Sequence, residues 1–199
     1  NKIIFSSTGS VYGNINKDNI KETDQTSPIN PYSQSKYEFE KHLNLLSKEG
    51  KCSSIILRYF NVAGADASLR SGLLTNPDNL IKAVCEVATN KREKLIINGD
   101  NYNTKDGTTV RDFIHVSDLA EMHLISAKYL IKNSKTTSTI FNCGYGKGYS
   151  IKDVVNEMNK ITNSEIKYDF GPARPGDATH TVADVTKFKE HFKWKPKFD

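Results

Sequence analysis

The chain has 199 residues, 37% hydrophobic and 26% charged, with a formal charge of +5, which fits one globular domain or pieces of two. It holds no apolar run of about 18 residues, so a transmembrane helix is excluded. The basic excess is 23 lysines against five arginines, interleaved with acids and asparagines instead of forming a stripe, which argues against nucleic-acid binding. Cys52, Cys85 and Cys143 are odd in number and far apart, as expected of reduced thiols in a cytoplasmic protein and not of a disulfide framework or zinc knuckle. The first eight residues do not read as a signal peptide, having no charged leader ahead of an apolar run.

In chain order, Lys2–Phe5 reads as a buried strand that runs into a hydroxyl-rich turn from Ser6 to Gly13. A chain opening in mid-strand is expected to lack its N-terminal part. Asn30-Pro31 starts a helix with apolar or aromatic positions at Tyr32, Phe39, Leu43 and Leu46, ended by Glu49-Gly50. Ser54–Arg58 is a short apolar strand followed by a polar turn at 59–61, and Asn79–Ala88 a helix with Leu80, Ala83, Val84 and Val87 on one face. Leu95–Ile97 predicts a strand and Gly99–Thr109 a long loop. A strand at Asp112–His115 leads into a helix over Ser117–Leu130, with Asp118 placed to suit the helix dipole. Ile140–Cys143 is a further strand, and a turn at Gly144–Gly148 delivers a helix capped by Ser150 with Asp153 three residues on. This alternation indicates a three-layer α/β domain with a mostly parallel sheet.

Tyr32 and Lys36 are one helical turn apart, so phenol and ammonium share a face. A nearby cation favours phenolate, which makes such a tyrosine a usable acid/base. Tyr37 and Lys41 have the same spacing but lie roughly 140° around the helix, and are expected on the surface. Ser6-Ser7-Thr8-Gly9-Ser10 follows a strand, at the carboxyl edge where α/β proteins place ligands. The glycine-rich run Cys143–Gly148 lies where a dinucleotide loop would, but its last glycine position is Tyr149, so it is read as a tight turn. His115, His123 and Asp118 match no usual ligand spacing and no metal site is expected.

Three segments, Ser-Ser-Thr-Gly-Ser-Val-Tyr-Gly from Ser6, Asn-Pro-Tyr-x-x-Ser-Lys from Asn30 and Leu-Arg-Tyr-Phe-Asn-Val-Ala-Gly-Ala from Leu57, resemble the extended short-chain dehydrogenase/reductase family. Four later segments, Pro77-Asp78-Asn79-Leu80, Asp106–Val116, Asn142-Cys143-Gly144 and Arg174-Pro175-Gly176-Asp177, are most similar to its UDP-glucose 4-epimerase branch. The resemblance implies a Rossmann-type doubly wound sheet, here its C-terminal part, with a small mixed α/β substrate lobe, NAD as cofactor and a UDP-sugar as substrate. It also implies a homodimer, through helices that would include 32–48. Thr8, Tyr32 and Lys36 take the catalytic positions in a 4-epimerisation through a 4-keto sugar; Ser6, Ser7, Tyr32, Lys36 and Phe60 fall on the cofactor side. The sugar nucleotide is matched by Thr8, Tyr32, Asn61, Asn79, Leu80, Ile96, Ile97, Asn98, Arg111, Arg174 and Asp177. Thr181 takes a gate position, where a small side chain leaves room for an N-acetyl group.

The family's opening glycine loop, and the acid that would hold the adenosine ribose, have no counterpart in this sequence. The 199 residues alone are therefore expected to bind NAD poorly. Residues 1–62 and 110–145 are allotted to the second half of the cofactor domain, and 63–109 with 146–199 to the sugar-nucleotide lobe. Related dehydratases carry an Asp-Glu pair after the catalytic threonine and decarboxylases a glutamate, whereas this chain has Gly9-Ser10. That favours epimerisation over either chemistry, and the intact Thr8/Tyr32/Lys36 set favours it over a non-catalytic nucleotide-binding scaffold.

Overall fold

A computed structural model describes residues 1–74 and 79–198; Pro77 and Asp78 of the expected substrate motif lie outside the described residues. Three parallel strands, β1 (Lys2–Thr8), β3 (Ser53–Tyr59) and β7 (Ser138–Cys143), form one sheet in the order β1-β3-β7. The central strand β3 is buried from Ser53 to Arg58, as a parallel strand covered on both faces must be. Its alternation sends Ile56 toward Leu43 of α1 (Pro31–Lys48), and Ile55 and Leu57 toward Leu119, Met122 and Leu130 of α3 (Val116–Lys132). Helix α5 (Thr186–Phe192) adds Phe188 to the α3 side. These are the expected three layers.

The second sheet runs β2 (Lys17–Ile20), β10 (His180–Ala183), β6 (Val110–His115), β4 (Asn61–Ala63), all parallel, with β8 (Gly148–Ser150) antiparallel on β6. The segment at 110–115, grouped by sequence with residues 1–62, is the strand of this sheet that pairs with β10, β4 and β8. A third unit sets β5 (Leu95–Asn98) beside β9 (Tyr168–Gly171), under α2 (Leu80–Ala88) and α4 (Ile151–Thr162), around Val84, Val87, Leu95, Ile97, Val155 and Ile166. Strands β2, β4, β8, β9 and β10 and helix α5 are not foreseen in the sequence. The strands are short and mostly polar and hold their places by pairing more than by an apolar pattern, while α5 is a two-turn helix held by Phe188 and Phe192 against the core.

Two buried carboxylates join these units. Asp112 on β6 is fully buried and accepts backbone N–H bonds from Tyr145 (2.8 Å), Gly146 (2.9 Å) and Ala183 (3.1 Å). The glycine-rich turn after β7 thus grips the protein's own anion. A Cβ at Gly144 would stand 2.5 Å from Asp112 Oδ2, which is why glycine is needed there. Asp118, expected to serve the helix dipole, accepts from the Tyr145 hydroxyl (2.6 Å) and from the N–H groups of Lys197 and Phe198 (3.1 Å). No helix among the described residues is long and apolar enough to cross a membrane.

Burial pushes Asp112 up from 3.8 to about 6, the three N–H bonds acting the other way. A carboxyl whose folded value is raised contributes stability in its protonated form, in full below its unfolded value, and that contribution is lost as pH rises through the folded value. Denaturant titrations between pH 4 and 7 are therefore expected to show the stability advantage of the wild type over Asp112→Asn shrinking, by on the order of 2 kcal/mol. A difference independent of pH would place this carboxyl in the ordinary range.

Candidate active site

The parallel register aligns Thr8 at the end of β1 with Tyr59 at the end of β3. Thr8 caps a single 3-10 turn, Gly9–Tyr12: its hydroxyl oxygen accepts from Ser10 N–H at 3.1 Å and its O–H reaches Ser10 Oγ at 3.2 Å. Strand alternation puts Ser6 on the same side as Thr8 and Ser7 on the other. Ser7, expected beside the cofactor, is buried and donates instead to Glu40 of α1. Glu40 also accepts from Arg58 Nε (3.0 Å) and Nη2, a two-pronged pair with both side chains almost wholly buried. The face α1 buries is therefore Ser33, Glu40 and Leu43, while Tyr32 and Phe39 of the expected stripe are exposed. An apolar-stripe reading cannot see a face built on a buried ion pair.

Asn30 caps α1 through the Ser33 N–H and Pro31 takes its first position, which sets the helix start beside the β1 turn. Lys36 Nζ donates to the Ser6 carbonyl at 2.9 Å and lies 5.8 Å from the centre of the Tyr32 ring. Tyr32 is 57% exposed, and its hydroxyl has no partner among the described residues. The Tyr37–Lys41 pair is only partly at the surface, since Tyr37 packs half-buried against Val11, Tyr12 and Ile20.

A cavity of about 380 Å³ opens at the ends of β1 and β3 and gathers Thr8, Phe60, Asn61, Arg111, Arg174, Asp177 and Thr181. Tyr32 does not line it; Asn30, two residues earlier, does. A second cavity of about 540 Å³ shares Asn61, Arg111, Arg174 and Asp177 and extends to Asn79, Leu80, Ile96, Ile97 and Asn98. Asn79 also caps α2, and the Ile97 side chain belongs to the core, which leaves Ile96 and Asn98 as the accessible side chains of β5. Arg111 sits where the two cavities meet and donates to Asp177 at 2.7 Å. Burial holds its guanidinium below the usual arginine value, Asp177 opposes this, and the charge of Arg174 adds to it. Arg111 and Arg174 thus face both cavities, Arg92 lines the second as well, and Asp177 is the single carboxylate among the described residues that line them.

Sequence reasoning passed over Tyr59, which lines the first cavity, although it adjoins Phe60 in a quoted motif. Its Oη lies 2.6 Å from Ser6 Oγ and also contacts His123 Nε2. Burial pushes this phenol up to about 12, so it keeps its proton. His115 stacks on Phe198 with ring centres 3.9 Å apart, and its Nδ1 accepts from Ser117 N–H.

A family model described as GDP-mannose 4,6-dehydratase matches residues 1–199. The chain belongs to the GDP-mannose 4,6-dehydratase family. It is 41% identical to a UDP-glucose 4-epimerase of Azospirillum brasilense, over all of this chain and 57% of the relative. It superposes with TM-score 0.94 and 33% identity on a Stenotrophomonas maltophila UDP-glucose 4-epimerase with bound NAD and formylated UDP-arabinopyranose, covering all of this chain and 59% of that one. A UDP-Glc/GlcNAc 4-epimerase of Campylobacter jejuni gives TM-score 0.78 at 41% identity, covering all of this chain and 60% of that one. The chain therefore spans a little under three fifths of the Azospirillum relative's length.

The Glu40–Arg58 pair sets how α1 sits on β1 and β3. Glu40→Gln leaves the guanidinium buried without its charge partner and is expected to cost about 3–5 kcal/mol in urea denaturation. The double replacement Glu40→Met with Arg58→Met is expected to cost less than the single one, since no uncompensated charge stays behind.

Proposed function

We propose that this chain supplies the acid–base groups and the sugar-nucleotide site of an NAD-dependent UDP-glucose 4-epimerase. The single observation that carries the reading is the shared position of Arg111, Arg174 and Asp177 between a cavity holding Thr8 and one bounded by β5. A diphosphate needs paired cations, and guanidinium offers the planar fork that suits phosphate. With the diphosphate held there, the hexose occupies the first cavity beside Thr8 and the uridine lies along Ile96 and Asn98 in the second. In this reading the β1-β3-β7 sheet serves the cofactor, and the other strands serve the sugar nucleotide.

The residues fit the nicotinamide-ribose end of NAD. Lys36 spends one donor on Ser6 and meets no carboxylate among the described residues, so two donors remain for ribose hydroxyls. In the Cys143–Gly148 turn the N–H groups of Tyr145 and Gly146 are taken by Asp112 and are not available to a pyrophosphate. NAD, when bound, accepts and returns the hydride at C4 of the sugar. Tyr32 removes the proton of the sugar 4-hydroxyl and gives it back after the 4-keto sugar has turned over. Thr8 bridges sugar oxygen and phenol: its oxygen accepts from Ser10 N–H, and its own proton can leave the weak Ser10 contact for the substrate. Phe60 packs against Gly9, where an added Cβ would stand 3.2 Å from the ring, and keeps that side of the cavity apolar.

Elimination or decarboxylation would need a further acid or base. Gly9 and Ser10 supply none, and Asp177 is engaged by Arg111. A second substrate finds support in Thr181: this small residue lines the first cavity, and the Campylobacter relative is described as acting on both UDP-Glc and UDP-GlcNAc.

In the full-length protein with NAD, UDP-galactose is expected to convert to UDP-glucose, and Tyr32→Phe to lower kcat at least about 100-fold, the usual scale for loss of a general acid/base. Absence of interconversion by the wild type would end the epimerase reading. UDP-GlcNAc assayed alongside tests the second substrate, which is expected to turn over in the wild type and to be lost in Thr181→Tyr while UDP-glucose is retained.

A further inference from the structure

We propose that His123 is a positioning residue for the redox site, acting through Tyr59 on Ser6, the residue whose carbonyl receives Lys36; the inference rests on the epimerase reading. His123 belongs to α3, on the opposite face of the first sheet from α1. Its Nδ1 lies 2.8 Å from the Leu119 carbonyl oxygen, and its Nε2 contacts Tyr59 Oη. The two rings meet edge to face with centres 5.5 Å apart. Tyr59 Oη is 2.6 Å from Ser6 Oγ, and the Ser6 carbonyl accepts from Lys36 Nζ at 2.9 Å.

Proton counting gives this chain one direction. A carbonyl oxygen only accepts, so the neutral imidazole must carry its proton on Nδ1, which leaves a lone pair on Nε2. Tyr59 then donates to Nε2. A phenol has one proton, so the remaining contact is made by Ser6, whose O–H donates to Tyr59 Oη. The chain runs from Ser6 to Tyr59 to His123 to Leu119, and the helix end fixes its sense. Two hydroxyls that could otherwise rotate are locked, and the side chain of the residue whose carbonyl receives Lys36 is held in one orientation. A phenylalanine at 123 would fill the same space but leave the direction open.

In the full-length protein, long-range proton–nitrogen NMR of the His123 imidazole is expected to show a neutral ring protonated at Nδ1. The Nε2 signal is expected to bear the mark of an accepted hydrogen bond and to lose it in Tyr59→Phe. A ring protonated at Nε2, or an Nε2 signal indifferent to Tyr59→Phe, would overturn the proposal. His123→Phe is expected to lower kcat about tenfold, a scale that follows from small displacements of reacting groups. The KM for the UDP-sugar should stay within about twofold, because Arg111 lies on β6 and Asp177 in the loop before β10, neither of them part of this chain of contacts. His123→Gln, whose amide oxygen can accept from Tyr59, is expected to restore most of the loss. Unchanged kcat in His123→Phe, or equal loss in both variants, also overturns the proposal. The nitrogen spectra assume nothing about substrate: an inactive wild type would refute the epimerase reading, while the spectra would still decide the direction of the chain.

Discussion

The arrangement turns on a carboxylate with no access to water. Asp112 draws three backbone N–H groups from two other parts of the chain onto β6, and so fixes β10 and the turn after β7 against that strand. Its neighbour Arg111 projects from the next position and pairs in register with Thr181. The anchor and the candidate phosphate cation are therefore consecutive residues on opposite faces of one strand. Burying a charge is costly unless it is hydrogen-bonded, and the raised proton affinity of Asp112 is the sign of that cost. What is obtained in return is a fixed spacing between Arg111 and the stretch that carries Asp177 and Thr181, some 66 to 70 residues further along the chain.

A second polar constraint seats α1. Glu40 holds Ser7 and Arg58, and one turn earlier Lys36 holds the carbonyl of Ser6. These contacts fall on successive residues of β1, one inside the core and one at its edge, so the helix can neither slide nor roll without breaking one of them. The phenol of Tyr32 owes its place to this seating more than to apolar packing, because its own ring is exposed.

Much of the fold was legible because long apolar runs and helix caps are local signals. The Asn30 cap, the Ser150–Asp153 capping box and the apolar face of α2 need only neighbours within a few residues. The candidate substrate residues were legible through resemblance, and the cavities gather most of them. What the sequence hid was the partner of each buried polar group. Ser7 reads as one more hydroxyl of a ligand-facing turn until Glu40 is found behind it, and no local pattern in the sequence joins Glu40 to Arg58. The pairing of strand β6 is hidden for the same reason: its partners β10, β4 and β8 are drawn from both directions along the chain, and no local pattern encodes that choice.

The same non-local pairing bears on how the protein comes into being. Strand β1 meets its neighbour only when residues 53–59 arrive, and β3 waits for residues 138–143. The rim that joins Arg111 to Thr181 closes last, because β10 must emerge before it can lie against β6. During synthesis the early hydroxyls and the tyrosine–lysine turn leave the ribosome well before the strands that enclose them. Parallel neighbours separated by long crossovers form slowly, so the nascent polypeptide passes through a period in which its chemistry is present but its binding site does not yet exist.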